Sequence, residues 1–324
     1  MRLSAVGVAL VLATACSGGT SIPVTAPLSG LAAVVRGVEP SIVTITTRAG
    51  VGSGVVYTRD GLVITDEHVV RGAKTVDLAF ADGLISTGKV VATDPVSDVA
   101  LVQSARTALA PAVFRQDSPD PGDTAVAIGS PLGLTETVTS GIVSGLHRVL
   151  PAGGPRAAPL VDLVQTDAPI SPGNSGGALL DGQGRVIGVN EAYVPPTAGA
   201  VAIGFATPTA EVLDVVSQLV KTGRALHAYL GLAPRTLTPE VARVLHVTVP
   251  AGVVVLSVAP GGPAAKAGVL PGDVLVEFGG VPVRTADDLL VEVRLHRPAD
   301  VVDVTVHRGP DLKHVSVVLS AVPS

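Results

Sequence analysis

Residues 171–180 read Ser171-Pro172-Gly173-Asn174-Ser175-Gly176-Gly177-Ala178-Leu179-Leu180, and the chain continues as Asp181-Gly182-Gln183-Gly184 and then Arg185-Val186-Ile187-Gly188-Val189. A serine set among glycines presents its hydroxyl. The glycine two places before it lets its own N–H and that of the serine turn toward one point, the arrangement of a nucleophile beside an oxyanion hole. One fold that uses such a serine places it on a sharp turn from strand to helix, with the acid and the histidine later in the chain. Here the serine is followed by a short apolar run, an Asp/Gly turn and a Val/Ile run. That pattern predicts a hairpin, not a helix, and sets Ser175 in an all-β context.

A serine hydroxyl is inert without a base and an acid. Both stand upstream. His68 follows the apolar run Leu62-Val63-Ile64-Thr65 and precedes Val69-Val70, which can bury and fix its backbone. Its ordinary pKa, near 6.5, suits a general base at neutral pH. Asp98 opens the apolar run Val99 to Val102, so its carboxylate sits where a strand enters a core, placed to hold the imidazole in one tautomer. Singly, each has a plain reading: a turn serine, one of seven histidines, a strand-capping aspartate. The order His, Asp, Ser is that of chymotrypsin-type enzymes, and it is the three together that point to chemistry.

The chain resembles the HtrA family of trypsin-like proteases carrying PDZ domains, over roughly residues 31 to 321. The resemblance rests on Gly52-Ser53-Gly54-Val55-Val56, the His68 segment, Asp94-Pro95-Val96-Ser97-Asp98-Val99-Ala100-Leu101, Ala127-Ile128-Gly129-Ser130-Pro131-Leu132-Gly133, Gln165-Thr166-Asp167-Ala168-Pro169-Ile170, the serine run, and Ile203-Gly204-Phe205-Ala206. It implies a mainly β chain: a chymotrypsin-like double β-barrel at 31–223 with the active site between the barrels, then a PDZ domain at 229–321. It assigns His68, Asp98 and Ser175 to catalysis and the N–H groups of Gly173 and Ser175 to the oxyanion hole. Ile170, Ile203, Gly204 and Phe205 become candidates for an apolar substrate pocket. A basic-residue preference needs an acid six places before the nucleophile, where this chain has Pro169; the nearby Asp167 reads as structural. Two departures stand close by, since the family usually has Asn at the places of Asp66 and Ser171. Family homotrimers use aromatic residues near the start of the protease domain, where this chain has Leu31-Ala32-Ala33-Val34-Val35.

At 324 residues the chain has room for two domains and extras. It is 47% hydrophobic but only 2% aromatic, so its cores must be packed from Val, Ala, Leu and Ile. A net charge of −5 without a basic cluster argues against a nucleic-acid partner. No cofactor is implied and no metal site is apparent; the other histidines, such as His296 and His307, lack metal-ligand spacing and read as surface residues. Ala5 to Ala15 is too short to span a bilayer but fits the apolar part of a signal peptide over 1–15. Leu12-Ala13-Thr14-Ala15-Cys16 resembles a bacterial lipobox, and Cys16 is the only cysteine. Lipidation at Cys16 would attach the chain to a membrane, with residues 16–30 as a flexible tether reaching roughly 20 Å. The expected location is the outer face of the cytoplasmic membrane or the cell envelope.

Several segments predict local structure. Arg59-Asp60-Gly61 and Ala81-Asp82-Gly83 read as hairpin turns, and Pro151-Ala152-Gly153-Gly154-Pro155 as a loop between strands. Thr207-Pro208 predicts a helix start, with Val212, Val216, Leu219 and Val220 on one face and Gly223 at its end. In the second domain, Tyr229-Leu230-Gly231-Leu232 stands where PDZ domains capture a C-terminal carboxylate. Thr285 predicts a cap for a helix whose Leu289, Leu290 and Val293 either line a peptide groove or fill the core. The reading is a serine endopeptidase acting on unfolded or damaged envelope proteins, with C-terminal peptides as PDZ ligands. The rivals are a dedicated signalling protease with one membrane substrate, and a chaperone or PDZ scaffold on a silent protease fold.

Overall fold

The computed structural model describes residues 28–129, 137–152, 159–193 and 203–323. The leader, Cys16 and the tether up to residue 27 lie outside the described residues, as do residues 130–136 and 153–158. The described chain opens with helix α1, Leu28–Val38, so the last three residues of the expected tether already belong to a helix. Its Leu31, Val35 and Val38 recur at helical spacing and pack on buried Val126, Ile128, Leu180 and Val186.

After a short 3-10 turn, six strands follow: β1 Ile42–Thr46, β2 Val51–Val56, β3 Leu62–Asp66, β4 Thr75–Phe80, β5 Ile85–Asp94 and β6 Val99–Ser104. They close into a barrel in the order β1-β2-β3-β6-β5-β4, every pair antiparallel. Helix α2, Glu67–Val70, leaves β3 directly. A second closed barrel, in the order β10-β11-β12-β9-β8-β7, is built from β7 Thr124–Gly129, β8 Thr137–Leu150, β9 Leu160–Thr166, β10 Ala178–Leu180, β11 Val186–Tyr193 and β12 Gly204–Pro208. The hairpin read from the serine stretch is present: Asp181 N–H donates to Arg185 O at 2.9 Å and Gly184 N–H to Asp181 O at 3.0 Å, joining β10 to β11. Apart from Phe80 in the first, both barrel cores are packed from Val, Leu, Ile and Ala, as the aromatic-poor composition requires.

Helix α3, Thr209–Thr222, starts one residue later than Thr207-Pro208 suggested, with Pro208 itself as the N-cap, and ends on Gly223 in the left-handed conformation. Its buried face is Val212, Val215, Val216 and Leu219, whereas Val220 is exposed. Around the helix wheel, Val220 falls further from the centre of this stripe than Val215 does, which corrects the expected face.

The second domain is a sheet in the order β14-β15-β16-β18-β19, with the short pair β13-β20 beside it. Its strands are β13 Ala228–Tyr229, β14 Leu232–Thr236, β15 Val253–Val258, β16 Val274–Phe278, β17 Val281–Pro282, β18 Val301–Arg308, β19 Asp311–Val318 and β20 Ser320–Ala321. Helices α4 Pro239–Val244, α5 Pro263–Lys266 and α6 Ala286–Arg294 complete it. The Thr285 cap is a full capping box: Thr285 Oγ1 accepts from Asp288 N–H, and the Asp288 carboxylate accepts from Thr285 N–H. Leu289 is 1% exposed inside the domain core with Val293 packed beside it, so both fill the core. His296 is not a plain surface residue: its ring meets Phe278 edge-on at 5.4 Å and its Nδ1 contacts Glu292 O at 2.8 Å.

Candidate active site between the barrels

The site is assembled from one end of the first barrel and one loop of the second. Strand β3 delivers His68 through α2, and the turn between β5 and β6 delivers Asp98. Asp98 has φ +53°, a region that costs a non-glycine residue about 1–3 kcal/mol and that Asp tolerates better than most. This backbone lets one residue hold the His68 segment at three points. Asp98 O accepts from Glu67 N–H at 3.0 Å, Asp98 Oδ1 accepts from His68 N–H at 2.7 Å, and Asp98 Oδ2 lies 2.8 Å from His68 Nδ1. Asp98 is 2% exposed while His68 is half-buried, so the acid is enclosed and the imidazole reaches the surface.

The electrostatics follow from those contacts. Burial disfavours the imidazolium, yet the Asp98 hydrogen bond and charge, with the charge of Glu191, outweigh it and raise His68 above its ordinary pKa; Arg71 opposes them. Burial also disfavours the Asp98 carboxylate, but bonds from the His68 ring and backbone, the imidazole charge and the neighbouring Glu191 carboxyl hold it below the usual carboxylate range.

The serine loop is locked onto the first barrel. Ser175 O accepts from Ser53 N–H at 2.8 Å and Gly173 O from Ser53 Oγ at 2.7 Å. Gly176 has φ +80°, and a Cβ there would lie 2.3 Å from Ser53 O and 2.3 Å from Thr65 Oγ1. Only glycine lets the loop come this close to β2 and β3. Asn174 N–H closes the turn onto Ser171 O at 2.9 Å, which leaves the N–H groups of Gly173 and Ser175 as the oxyanion candidates in this loop. Gly173 itself has φ +99°. The Ser175 hydroxyl donates to the backbone carbonyl of Glu191 at 2.9 Å, a partner that the sequence reading did not foresee.

The pocket candidates divide between two faces. A Cβ on Gly204 would meet Ile170 Cδ1 at 2.8 Å, so these two are neighbours, whereas Ile203 and Phe205 pack with Leu150, Leu160 and Leu163. Strand alternation at the start of β12 sends Gly204 to the face opposite its two flanking residues. Asp167 Oδ1 accepts from Ile142 N–H at 2.7 Å, a structural bond to β8. In the second domain, Leu230 O and Gly231 O accept from Ala264 N–H and Ala259 N–H, and Gly231, at φ +80°, turns the chain into β14. β14 is an edge strand of its sheet.

Residues 52–189 match the trypsin-like peptidase domain family and residues 228–319 the PDZ domain family. The solved HtrA-type protease AlgW with tripeptide superposes with a TM-score of 0.75 at 33% identity, covering 90% of this chain and 97% of that one. The chain belongs to the HtrA family. Among curated relatives, it is 42% identical to the putative serine protease HhoB of Synechocystis sp. over 80% of this chain and 64% of that protein. It is 40% identical to the periplasmic serine endoprotease DegP of Escherichia coli (strain K12), over 75% of this chain and 51% of that protein. The chain thus spans between about half and two thirds of the length of these curated relatives.

Two features of this HtrA site escaped the sequence. One is Glu191, 2% exposed on β11; its only sequence signal is an acid inside a Val/Ile strand. The other is a polar cluster joining the two domains: Asp94, Ser97, Glu211, His227 and Arg294. Its longest-range hydrogen bond, Arg294 to Ser97, joins positions 197 residues apart, and no local pattern marks it.

Proposed function

We propose that the protein is a serine endopeptidase in which Ser175 is the nucleophile, His68 the general base and Asp98 the acid that orients it. The observation that carries this reading is the double hold of Asp98 on His68, at 2.7 and 2.8 Å, beside a glycine-built serine loop. With Nδ1–H donated to Asp98, His68 Nε2 is left as an acceptor. Ser175 leaves the Glu191 carbonyl by rotation about χ1 and attacks the scissile carbonyl carbon, and its proton passes to Nε2. The N–H groups of Gly173 and Ser175 bind the oxyanion. His68 then gives the proton to the leaving amine, and water repeats the cycle on the acyl-enzyme.

The substrates in this reading are unfolded or mislocalised proteins of the cell envelope, cut after Val, Ala or Leu. Relatives named as periplasmic endoproteases support that location. The signal peptide 1–15, a lipid on Cys16 and the tether would place the enzyme at the membrane, and among the described residues no helix is long and apolar enough to cross one. The PDZ domain would take the C-terminal segment of a substrate or activator along the edge of β14, with the carboxylate at Tyr229-Leu230-Gly231-Leu232. AlgW solved with a decapeptide or tripeptide supports peptide binding by this architecture. The test is digestion of a protein in its unfolded and folded forms by the intact chain, with and without a free C-terminal peptide. Cleavage of the unfolded form after small aliphatic residues is expected. No cleavage under any condition favours the chaperone reading, and cuts mainly after Arg or Lys contradict the apolar pocket.

A further inference from the structure

Glu191 is the residue at which β11 loses register with β12: Asn190 pairs with Ala206 and Ala192 with Phe205, leaving Glu191 as the extra residue of a bulge. Bulges re-aim a side chain and free a backbone group. Here the freed carbonyl takes the Ser175 hydroxyl at 2.9 Å, and the side chain turns inward, 2% exposed. Its carboxyl helps to hold Asp98 below the usual carboxylate range, and one of its oxygens lies within 4.8 Å of a His68 ring nitrogen and of an Asp66 carboxylate oxygen. One residue therefore touches the proposed nucleophile through its backbone and faces the proposed base through its side chain.

We propose that Glu191 is a positioning residue for the Asp98–His68 pair, a buried carboxyl that holds Asp98 in place and sets the pH range over which His68 accepts the Ser175 proton. The inference rests on the triad reading above. Two carboxyls in contact away from water cannot both carry charge cheaply, so a hydrogen bond between them requires a proton. With that proton, Glu191 donates to Asp98 and fixes it for His68. Without it, a second negative charge stands beside the imidazole and makes the imidazolium harder to deprotonate.

Other charges face the same space. Asp66, from β3, has Oδ2 4.0 Å from His68 Nδ1. Arg71, just past α2, feels both Asp98 and Glu191 but is engaged by Glu67, Nε to Oε2 at 2.8 Å. Glu67 is thereby paired with Arg71, and Asp66 remains the competing source of charge.

The test is the pH profile of kcat/KM on a short peptide, for the full chain and for Glu191→Gln, Glu191→Thr and Asp66→Asn. Glu191→Gln keeps a donor toward Asp98 but cannot ionise, so the acid limb is expected to fall by about half a pH unit, roughly a threefold gain at pH 6 relative to the plateau. Glu191→Thr, which is smaller and also uncharged, is expected to shift the limb in the same direction. Should neither variant turn over, the His68 NMR titration in a Ser175→Ala background reads the same midpoint without activity. A limb that stays put in both Glu191 variants and moves only in Asp66→Asn overturns the proposal, as does a lowered melting temperature with an unshifted midpoint. Failure of the triad reading looks different: Ser175→Ala, run alongside, would still hydrolyse the peptide.

Discussion

Arg294 of the PDZ helix α6 donates to Ser97 Oγ of the protease domain at 3.1 Å, and Ser97 is the residue before Asp98. The same guanidinium nitrogen donates to Glu211 Oε1 at 3.1 Å and lies 3.1 Å from His227 Nδ1, while Ser97 Oγ donates to Glu211 at 2.6 Å. His227 Nε2 in turn meets Asp94 Oδ2 at 2.8 Å. The two domains are thus joined by a largely buried polar cluster one residue from the proposed catalytic acid.

Arg294→Ala removes the cation from this cluster and leaves Glu211 without its charge partner. Burial already pushes the Glu211 carboxyl above its ordinary range, against the pull of Arg294. Loss of one partner of a buried pair costs about 3 kcal/mol, and making the other partner neutral recovers most of it. Arg294→Ala is therefore expected to lower the denaturant midpoint markedly, and adding Glu211→Gln to restore much of the loss. Equal midpoints for the single and double variants would remove the charge argument.

Hydrolysis is expected to rise with pH as His68 loses its proton. Because Asp98 and Glu191 hold the imidazole above its ordinary pKa, the acid-limb midpoint of kcat/KM should lie above about 6.5. Asp98 is held low and stays ionised throughout that window. A profile flat between about pH 5 and 9 would count against a histidine base.

Gly176→Ala is expected to dismantle the site without touching a reacting group. The added carbon would meet two oxygens at 2.3 Å, one of them backbone, at a φ of +80°. Both the melting temperature and peptide hydrolysis should fall. Wild-type kinetics in this variant would show that the close approach of the serine loop to β2 and β3 is dispensable.

The PDZ assignment has its own test. A peptide with an apolar C-terminal residue should bind the full chain with Kd on the order of micromolar, about −8 kcal/mol, and its C-terminal amide should not bind. Matching titration curves for acid and amide would leave Tyr229-Leu230-Gly231-Leu232 as a packing turn.

The hairpin after Ser175 and the strands around His68 and Asp98 were legible because turn residues and apolar runs act locally. The capping box at Thr285 was readable for the same reason. The face of α3 was misjudged by one residue, Val220 for Val215, since several neighbouring valines compete for one stripe and only packing decides. Glu191 and the Arg294 cluster were illegible because a bulge in β11 and contacts between distant positions create them. The division of Ile170 and Gly204 from Ile203 and Phe205 depends on where β12 begins, which its sequence does not mark.

The most direct test of the central claim is labelling of the intact chain with a fluorophosphonate, mapped by mass spectrometry, together with hydrolysis by the Ser175→Ala and His68→Ala variants. The account predicts one adduct, on Ser175, dependent on His68. Each substitution should lower hydrolysis by roughly 10⁴-fold or more, and the double variant should lose little beyond either, because the groups act as a unit. An adduct on another residue, or hydrolysis that persists in Ser175→Ala, would contradict it.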